Sequence, residues 1–312
     1  MRVFVAGATG VIGRVLVPKL LAAGHEVTGM TRSEETAGAL RGQGAEAIVA
    51  DAFDAAGVEK AVTTAAPEVM VHQLTSIPAR VNPRKMAKAF ELNDRLRDEG
   101  TRHLVAAARA AGVRRMVAQS VAFAYHPAGG ELKREDDPLY LDAPAPFDRT
   151  VRALASLESQ VLGADGVEGL VLRYGFFYGP GTSYAPGGSQ AEMVRRRQLP
   201  LIGSGAGVFS FIHVDDAATA TVVAVEGGAP GAYNIVDDEP AAWRDWLPVY
   251  ADALDAKRPL RIPAFLARVA AGPVAVMYAT RVAGASNVKA KSKLGWTPAW
   301  PSWRRGFVEA AG

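Results

Sequence analysis

The chain opens on an apolar strand that runs straight into a glycine turn, RVFVAGATGVIG, and no other feature narrows the choice of fold as much. Residues 2–7 read as a strand, and residues 11–24 carry helical periodicity that stops at a glycine. Gly7 permits the tight turn, Gly10 lets the backbone approach a diphosphate, and Gly13 allows the helix to pack closely on the strand. The helix N-terminus supplies free N–H donors and the positive end of a dipole. A strand–turn–helix unit of this kind predicts a dinucleotide site in place of a merely structural turn.

Beyond this unit the chain keeps the same alternation. Strands are expected at 26–30, 46–51, 68–72, 114–120 and 169–175, with helices at about 33–42, 54–65, 84–111 and 148–163 between them. Strands separated by helical crossovers imply an α/β fold, a doubly wound parallel sheet covered on both faces. Past Tyr178 the run GPGTSYAPGG reads as a loop, followed by FSFIHV (209–214) as a strand, a helix from Asp215, a strand at 232–236 and a helix from about 241. The expected division is a dinucleotide-binding domain at 1–175, to which 209–230 returns, and a smaller substrate lobe at 176–312. The apolar stretch 269–280, between Arg268 and Arg281, is shorter than the roughly 20 residues a membrane-spanning helix needs and reads as a buried or pocket-lining helix.

Composition removes several function classes. With 35 basic against 32 acidic residues the charge balance gives no reason to expect a nucleic-acid partner, and Arg195-Arg196-Arg197 reads as a solvated helix face. The chain has no cysteine, which excludes disulfides, thiolate nucleophiles and Cys-based metal sites and makes a cytoplasmic home the default. No leader-like or membrane-spanning segment is expected, nor is a metal site, because there is no paired His at helical spacing. His72 and His213 fall inside strands and read as core histidines, and Asp215-Asp216 as a helix N-cap with an acidic first turn. The glycine turn lacks the nucleophile elbow of a Ser-His-Asp hydrolase.

The spacing G-x-x-G-x-x-G with Thr9 inside it resembles the short-chain dehydrogenase/reductase superfamily. Asp51-Ala52-Phe53-Asp54 after the third strand, EGTRHLVAAARAAGVRRMVAQS at 99–120, RYGFFYGPG at 173–181, FIHVDDAA at 211–218 and LGWTP at 294–298 are similar to segments of its extended, NAD-dependent epimerase/dehydratase-like branch. The resemblance implies a Rossmann-like fold with a smaller C-terminal substrate lobe. It also implies a dinucleotide held by Gly7, Thr9, Gly10, Val11, Ile12, Gly13, Asp51, Ala52, Leu74, Ser120 and Tyr174. At the end of the second strand, Thr31-Arg32 stands where a carboxylate would hold the 2′-hydroxyl of NAD. Arg32 can pair instead with a 2′-phosphate, which favours NADP and leaves NAD as the alternative.

Against this background PFDRTVRALASLE (146–158) is the anomaly. The family carries a Tyr-x-x-x-Lys proton relay on this helix; here Thr150 and Leu154 occupy the two positions, and the motif occurs nowhere in the chain. Val121 stands near the place of the family's serine, with Ser120 one residue early, and Arg97 replaces its asparagine. Candidate acids are therefore Tyr125, with Arg97 as a cationic neighbour to lower its pKa, and Tyr178; Ser120 could orient a carbonyl and His126 relay protons. The expectation is an NADP(H)-dependent oxidoreductase acting on a small carbonyl or alcohol substrate, with a homodimer as the candidate assembly. The alternatives are a non-redox isomerase, lyase or cyclase on the same scaffold, or a dinucleotide-sensing regulator without turnover.

Overall fold

The fold was obtained as a computed structural model in which residues 1–78, 85–129 and 132–311 are described, so the expected helix start near Arg84 lies outside the described residues. Strands of three residues or more and the α-helices are numbered in chain order. The first half runs β1 (Arg2–Ala6), α1 (Gly13–Ala22), β2 (Glu26–Thr31), α2 (Glu34–Arg41), β3 (Glu46–Val49), α3 (Ala55–Ala65) and β4 (Val69–His72). It continues with α4 (Met86–Arg95), a π-turn (Leu96–Gly100), α5 (Thr101–Ala110), β5 (Arg115–Val121), α6 (Phe147–Leu162) and β6 (Glu168–Tyr174). The second half contributes β7 (Phe176–Tyr178), α7 (Ser189–Arg195), β8 (Phe211–His213), α8 (Val214–Glu226), β9 (Gly231–Ile235), α9 (Trp243–Ala253), α10 (Ala264–Thr280) and α11 (Trp303–Ala311).

Seven strands form one parallel sheet in the order β9-β6-β5-β4-β1-β2-β3. Strand order reverses between β1 and β4, and in open parallel sheets ligands bind at the carboxyl ends of the strands flanking that reversal. The central strands are apolar on both sides because both faces are covered, as the near-continuous burial of Val69–His72 and Arg115–Val121 shows. One face packs Leu16, Val17 and Leu20 of α1 with Ala217, Ala220 and Ala224 of α8; the other packs α3 and α5 through Val58, Val62, Leu104 and Ala108. Helix α8 thus returns to the sheet, and β9 adds to its edge beyond β6.

The second half builds its own core from Tyr184, Trp243, Trp246, Tyr250, Trp303 and Phe307 around Phe211. Several expectations are corrected here. The predicted strand 209–214 is broken at Ser210: Val208–Phe209 pairs with Ala241–Ala242, whereas Phe211–His213 pairs with Phe176–Tyr178. His213, not Asp215, caps α8, its ring accepting from the Asp215 N–H; Asp216 is buried and its two oxygens accept from the Ala299 and Trp300 N–H groups. The apolar stretch 269–280 belongs to α10, which is interrupted at Gly272 (φ 85°) ahead of Pro273. Val274, Met277 and Ala279 are buried as expected, but Val269 is 81% exposed. Among the described residues no helix is long and apolar enough to cross a membrane.

Candidate active site

The glycine turn sits at the carboxyl end of β1, beside the reversal. Gly7 has φ of 94°, and a Cβ there would lie 2.7 Å from the Gln73 carbonyl; a Cβ on Gly13 would lie 2.3 Å from the Gly7 oxygen. Gly10, by contrast, meets only the Gly7 oxygen at 3.3 Å and is exposed, as is Val11, while Ile12 is buried under the helix start. The turn is therefore closed against the sheet and open on its outer side. Half-exposed Thr9 and exposed Gly10 and Val11 lead there into the N-terminus of α1, an arrangement that fits a dinucleotide diphosphate. Asp51 is exposed and accepts from the Phe53 N–H at 3.0 Å; Ala52 is buried and its carbonyl meets His103; Leu74 is half-buried beside the turn. Arg32 is exposed at the end of β2, with no ion-pair partner among the described residues.

Tyr174 does not face this site. It is fully buried in the sheet core, where Gln73 donates to its hydroxyl at 3.2 Å and Thr221 lies 2.6 Å away, and burial pushes its pKa up to about 12. It supports the turn from beneath, through Gln73.

The three candidate acid–base residues are likewise engaged elsewhere. Ser120, 1% exposed, donates to Glu158 at 2.6 Å. Glu158 is held by Arg173 through two bonds, 2.9 Å from Nε and 2.6 Å from Nη2. Arg173 Nη1 donates to the Tyr125 hydroxyl at 2.7 Å, and that hydroxyl donates to Asn234 Oδ1 at 2.7 Å. The chain Ser120–Glu158–Arg173–Tyr125–Asn234 is a buried, mutually satisfied network joining α6 to the carboxyl ends of β5, β6 and β9. The cation beside Tyr125 is thus Arg173, not Arg97. Burial, the larger effect, outweighs that cation and pushes Tyr125 up to about 12, so the expected lowering is reversed. Tyr178 is fully buried, packs edge-on to His213 and Phe307, and is raised further by burial and then by Asp237 and Asp216. His126 is half-exposed against Tyr140, with Asp142 4.0 Å away.

Groups that do converge at the carboxyl edge come from both halves of the chain. Thr150 on α6 donates to Asp94 Oδ2 on α4 at 3.1 Å. Asp94 Oδ1 is buried without a hydrogen-bond partner and lies 4.0 Å from Arg97 Nη1. Arg97, on the π-turn, is 5% exposed; burial pulls its pKa down to about 10, opposed by Asp94 and by Tyr278 of α10. Burial likewise raises Asp94. His72 at the end of β4 is nearby, lowered to about 4 by burial and then by Arg97. Tyr278 rests 5.3 Å from Phe147 and 6.2 Å from both Phe123 and Phe176, which stack on each other at 4.2 Å. Val121 and the fully buried Leu154 join this apolar cluster.

Leu154 thus packs into an aromatic cluster, and Thr150 ties the Asp94 carboxylate beside Arg97. Sequence reasoning missed Asp94 and Tyr278. Asp94 could have been found as the acid one helical turn before Arg97, and Tyr278 as the one hydroxyl-bearing aromatic in an otherwise apolar stretch.

Comparison with known proteins agrees with this architecture. A model of the NAD dependent epimerase/dehydratase family matches residues 3–236. A "3-diazoavenalumate denitrifying reductase" of a Streptomyces species is 50% identical over 308 residues, covering 98% of this chain and 99% of that protein. A "2-alkyl-3-oxoalkanoate reductase" of Stenotrophomonas maltophilia is 29% identical, covering 83% of this chain and 77% of that protein. Among solved structures, the UDP-glucose 4-epimerase of Thermus thermophilus in complex with NAD superposes with a TM-score of 0.76 at 23% identity, covering 100% of this chain and 98% of that one. Relatives named as reductases support an oxidoreductase.

Proposed function

The chain belongs to the NAD dependent epimerase/dehydratase family, and from that premise we propose that it is a nicotinamide-dependent reductase that replaces a diazo group on an aromatic substrate with hydrogen, releasing dinitrogen. One observation carries this reading: the relay pair is absent and the hydroxyls expected to replace it are enclosed. Thr150 and Leu154 replace the relay, Ser120 and Tyr125 are buried in bonds of their own, and Tyr178 is buried in the second core. Hydride reduction of a carbonyl leaves an alkoxide that must be protonated, and a positioned acid contributes roughly 10²–10⁴-fold to such a step. An arenediazonium needs only the hydride: Ar–N₂⁺ and H⁻ give Ar–H and N₂, with atoms and charge balanced and no proton taken up. The full-length relative's name describes a reductase of this kind.

The diphosphate would be held by Thr9, Gly10 and Val11 at the start of α1, the adenine side by Asp51 and a 2′-phosphate by Arg32, so that NADP is the preferred cofactor. When bound, the reduced nicotinamide supplies the hydride. Val121, Leu154 and Phe147 keep water from the reacting end, and Phe123, Phe176 and Tyr278 offer flat surfaces on which an arene stacks. Incubating the protein with NADPH and a carboxylated arenediazonium salt should release dinitrogen and oxidise NADPH in equal amounts, above the rate without protein. Equal rates with and without protein would refute the proposal. Carbonyl reduction is the second reading, favoured by Tyr278, a half-buried phenol beside Arg97. Ketone turnover that Tyr278→Phe abolishes would select it.

A further inference from the structure

We propose that Arg97 is an anion-binding residue that holds the carboxylate of an aromatic substrate, a role that rests on the reading above and specifies its substrate class. The guanidinium carries five N–H donors in a planar fork suited to a carboxylate. Here it is 5% exposed, yet among the described residues its sole polar contact is the 4.0 Å approach of Asp94. Neighbouring arginines on the same helical run are treated differently. Arg95 is paired with Glu99 at 2.8 Å and Arg102 with Asp98 at 3.3 Å, although both are exposed and need no partner. Asp94 could close on Arg97 in the same way but is turned aside by Thr150, which takes its other oxygen at 3.1 Å. The carboxylate is close enough to orient Arg97 and too distant to saturate it.

The surroundings of this unsaturated cation limit the ligand. Phe123, Phe176 and Tyr278 keep part of their surface exposed even though they pack on one another, so the aromatic wall borders accessible space. Phe147, Val121 and Leu154 complete an apolar lining. A flat apolar body ending in one anionic group matches both features: the body stacks on the wall and the carboxylate meets the guanidinium through two parallel N–H···O bonds. A neutral ligand of the same shape could accept an N–H but would leave the charge of Arg97 uncompensated. A phosphate would leave its additional charge uncompensated.

The test reads binding, not turnover. Calorimetric titration with cinnamate and with its neutral isostere cinnamamide, in the presence of NADP⁺, should give wild-type affinity for cinnamate about tenfold or more higher, the value of one charge-assisted interaction. Arg97→Met should remove that preference while leaving the NADP⁺-induced rise in melting temperature unchanged, and Arg97→Lys should retain part of it. Equal affinity of the wild-type protein for the two ligands, or a preference that survives in Arg97→Met, would overturn the assignment. So would a loss of NADP⁺ binding in Arg97→Met with ligand preference intact. Should Arg97→Met fail to fold, the wild-type comparison and Arg97→Lys decide. A protein that prefers cinnamate through Arg97 but releases no dinitrogen keeps the anion site and loses the diazo reading; the opposite pair of results does the reverse.

Discussion

Among the described residues Arg32 has no ion-pair partner and Arg97 only Asp94 at 4.0 Å, and their surroundings give them different work. Arg32 is exposed at the end of β2, on the side of the glycine turn where an adenosine ribose would lie. NADPH should bind about tenfold more tightly than NADH, as one charge-assisted contact at an exposed site allows, and Arg32→Asp should erase or reverse that order. Calorimetry on both proteins with both cofactors checks this; the same ranking in each would remove Arg32 from the site. At this scale the sequence was readable wherever a residue acts through its neighbours along the chain, as Gly7, Gly10 and Gly13 do. It was unreadable where partners are distant. Tyr125 meets Arg173 and Asn234, and Ser120 meets Glu158, across separations of 48, 109 and 38 residues. No local pattern announces that these hydroxyls are already bonded.

Between elements, the packing of β4 on α5 depends on a neutral histidine. His72 Nδ1 accepts from the Leu74 N–H at 3.3 Å, which leaves Nε2–H to donate to Thr101 Oγ1 at 3.0 Å. Protonating Nδ1 would set a second hydrogen against the Leu74 N–H in a site already beside Arg97. The folded pKa, about 4, lies below the ordinary 6.5, so the unfolded chain binds the proton first. Stability from His72 is fully present above pH 6.5 and is lost as pH falls toward 4, on the order of 3 kcal/mol in all. Half-buried Asp94 and buried Asp216 and Asp237, raised by burial, act in the opposite sense as pH falls. The comparison must therefore be with His72→Gln, whose urea-unfolding free energy should fall less between about pH 7 and about pH 4.5. Parallel losses in the two proteins would contradict this role for His72. The elements themselves were legible because each strand of the sheet is apolar and each crossover is periodic. Exceptions occur where tertiary contacts override local pattern: Ser210 divides one predicted strand between two partners, and Gly272 breaks a helix that hydropathy alone makes continuous.

In the whole molecule, the sheet presents the glycine turn and His72 at its carboxyl edge, the π-turn adds Arg97, and the second half brings Tyr278 on α10 beside Arg97 and Phe147. A dinucleotide on one side and an aromatic anion on the other would meet at Val121 and Leu154, where the Tyr-x-x-x-Lys relay is absent. The central claim is that this site delivers a hydride and asks for no proton. NADPH deuterated at both transferable positions should place one deuterium on the product arene at the carbon that bore the diazo group. Unlabelled NADPH in D₂O should place none there. Mass spectrometry of the product from both incubations gives the answer directly. Cofactor-derived label alone agrees with hydride delivery; solvent deuterium at that carbon, or product formed without label from either source, would contradict it.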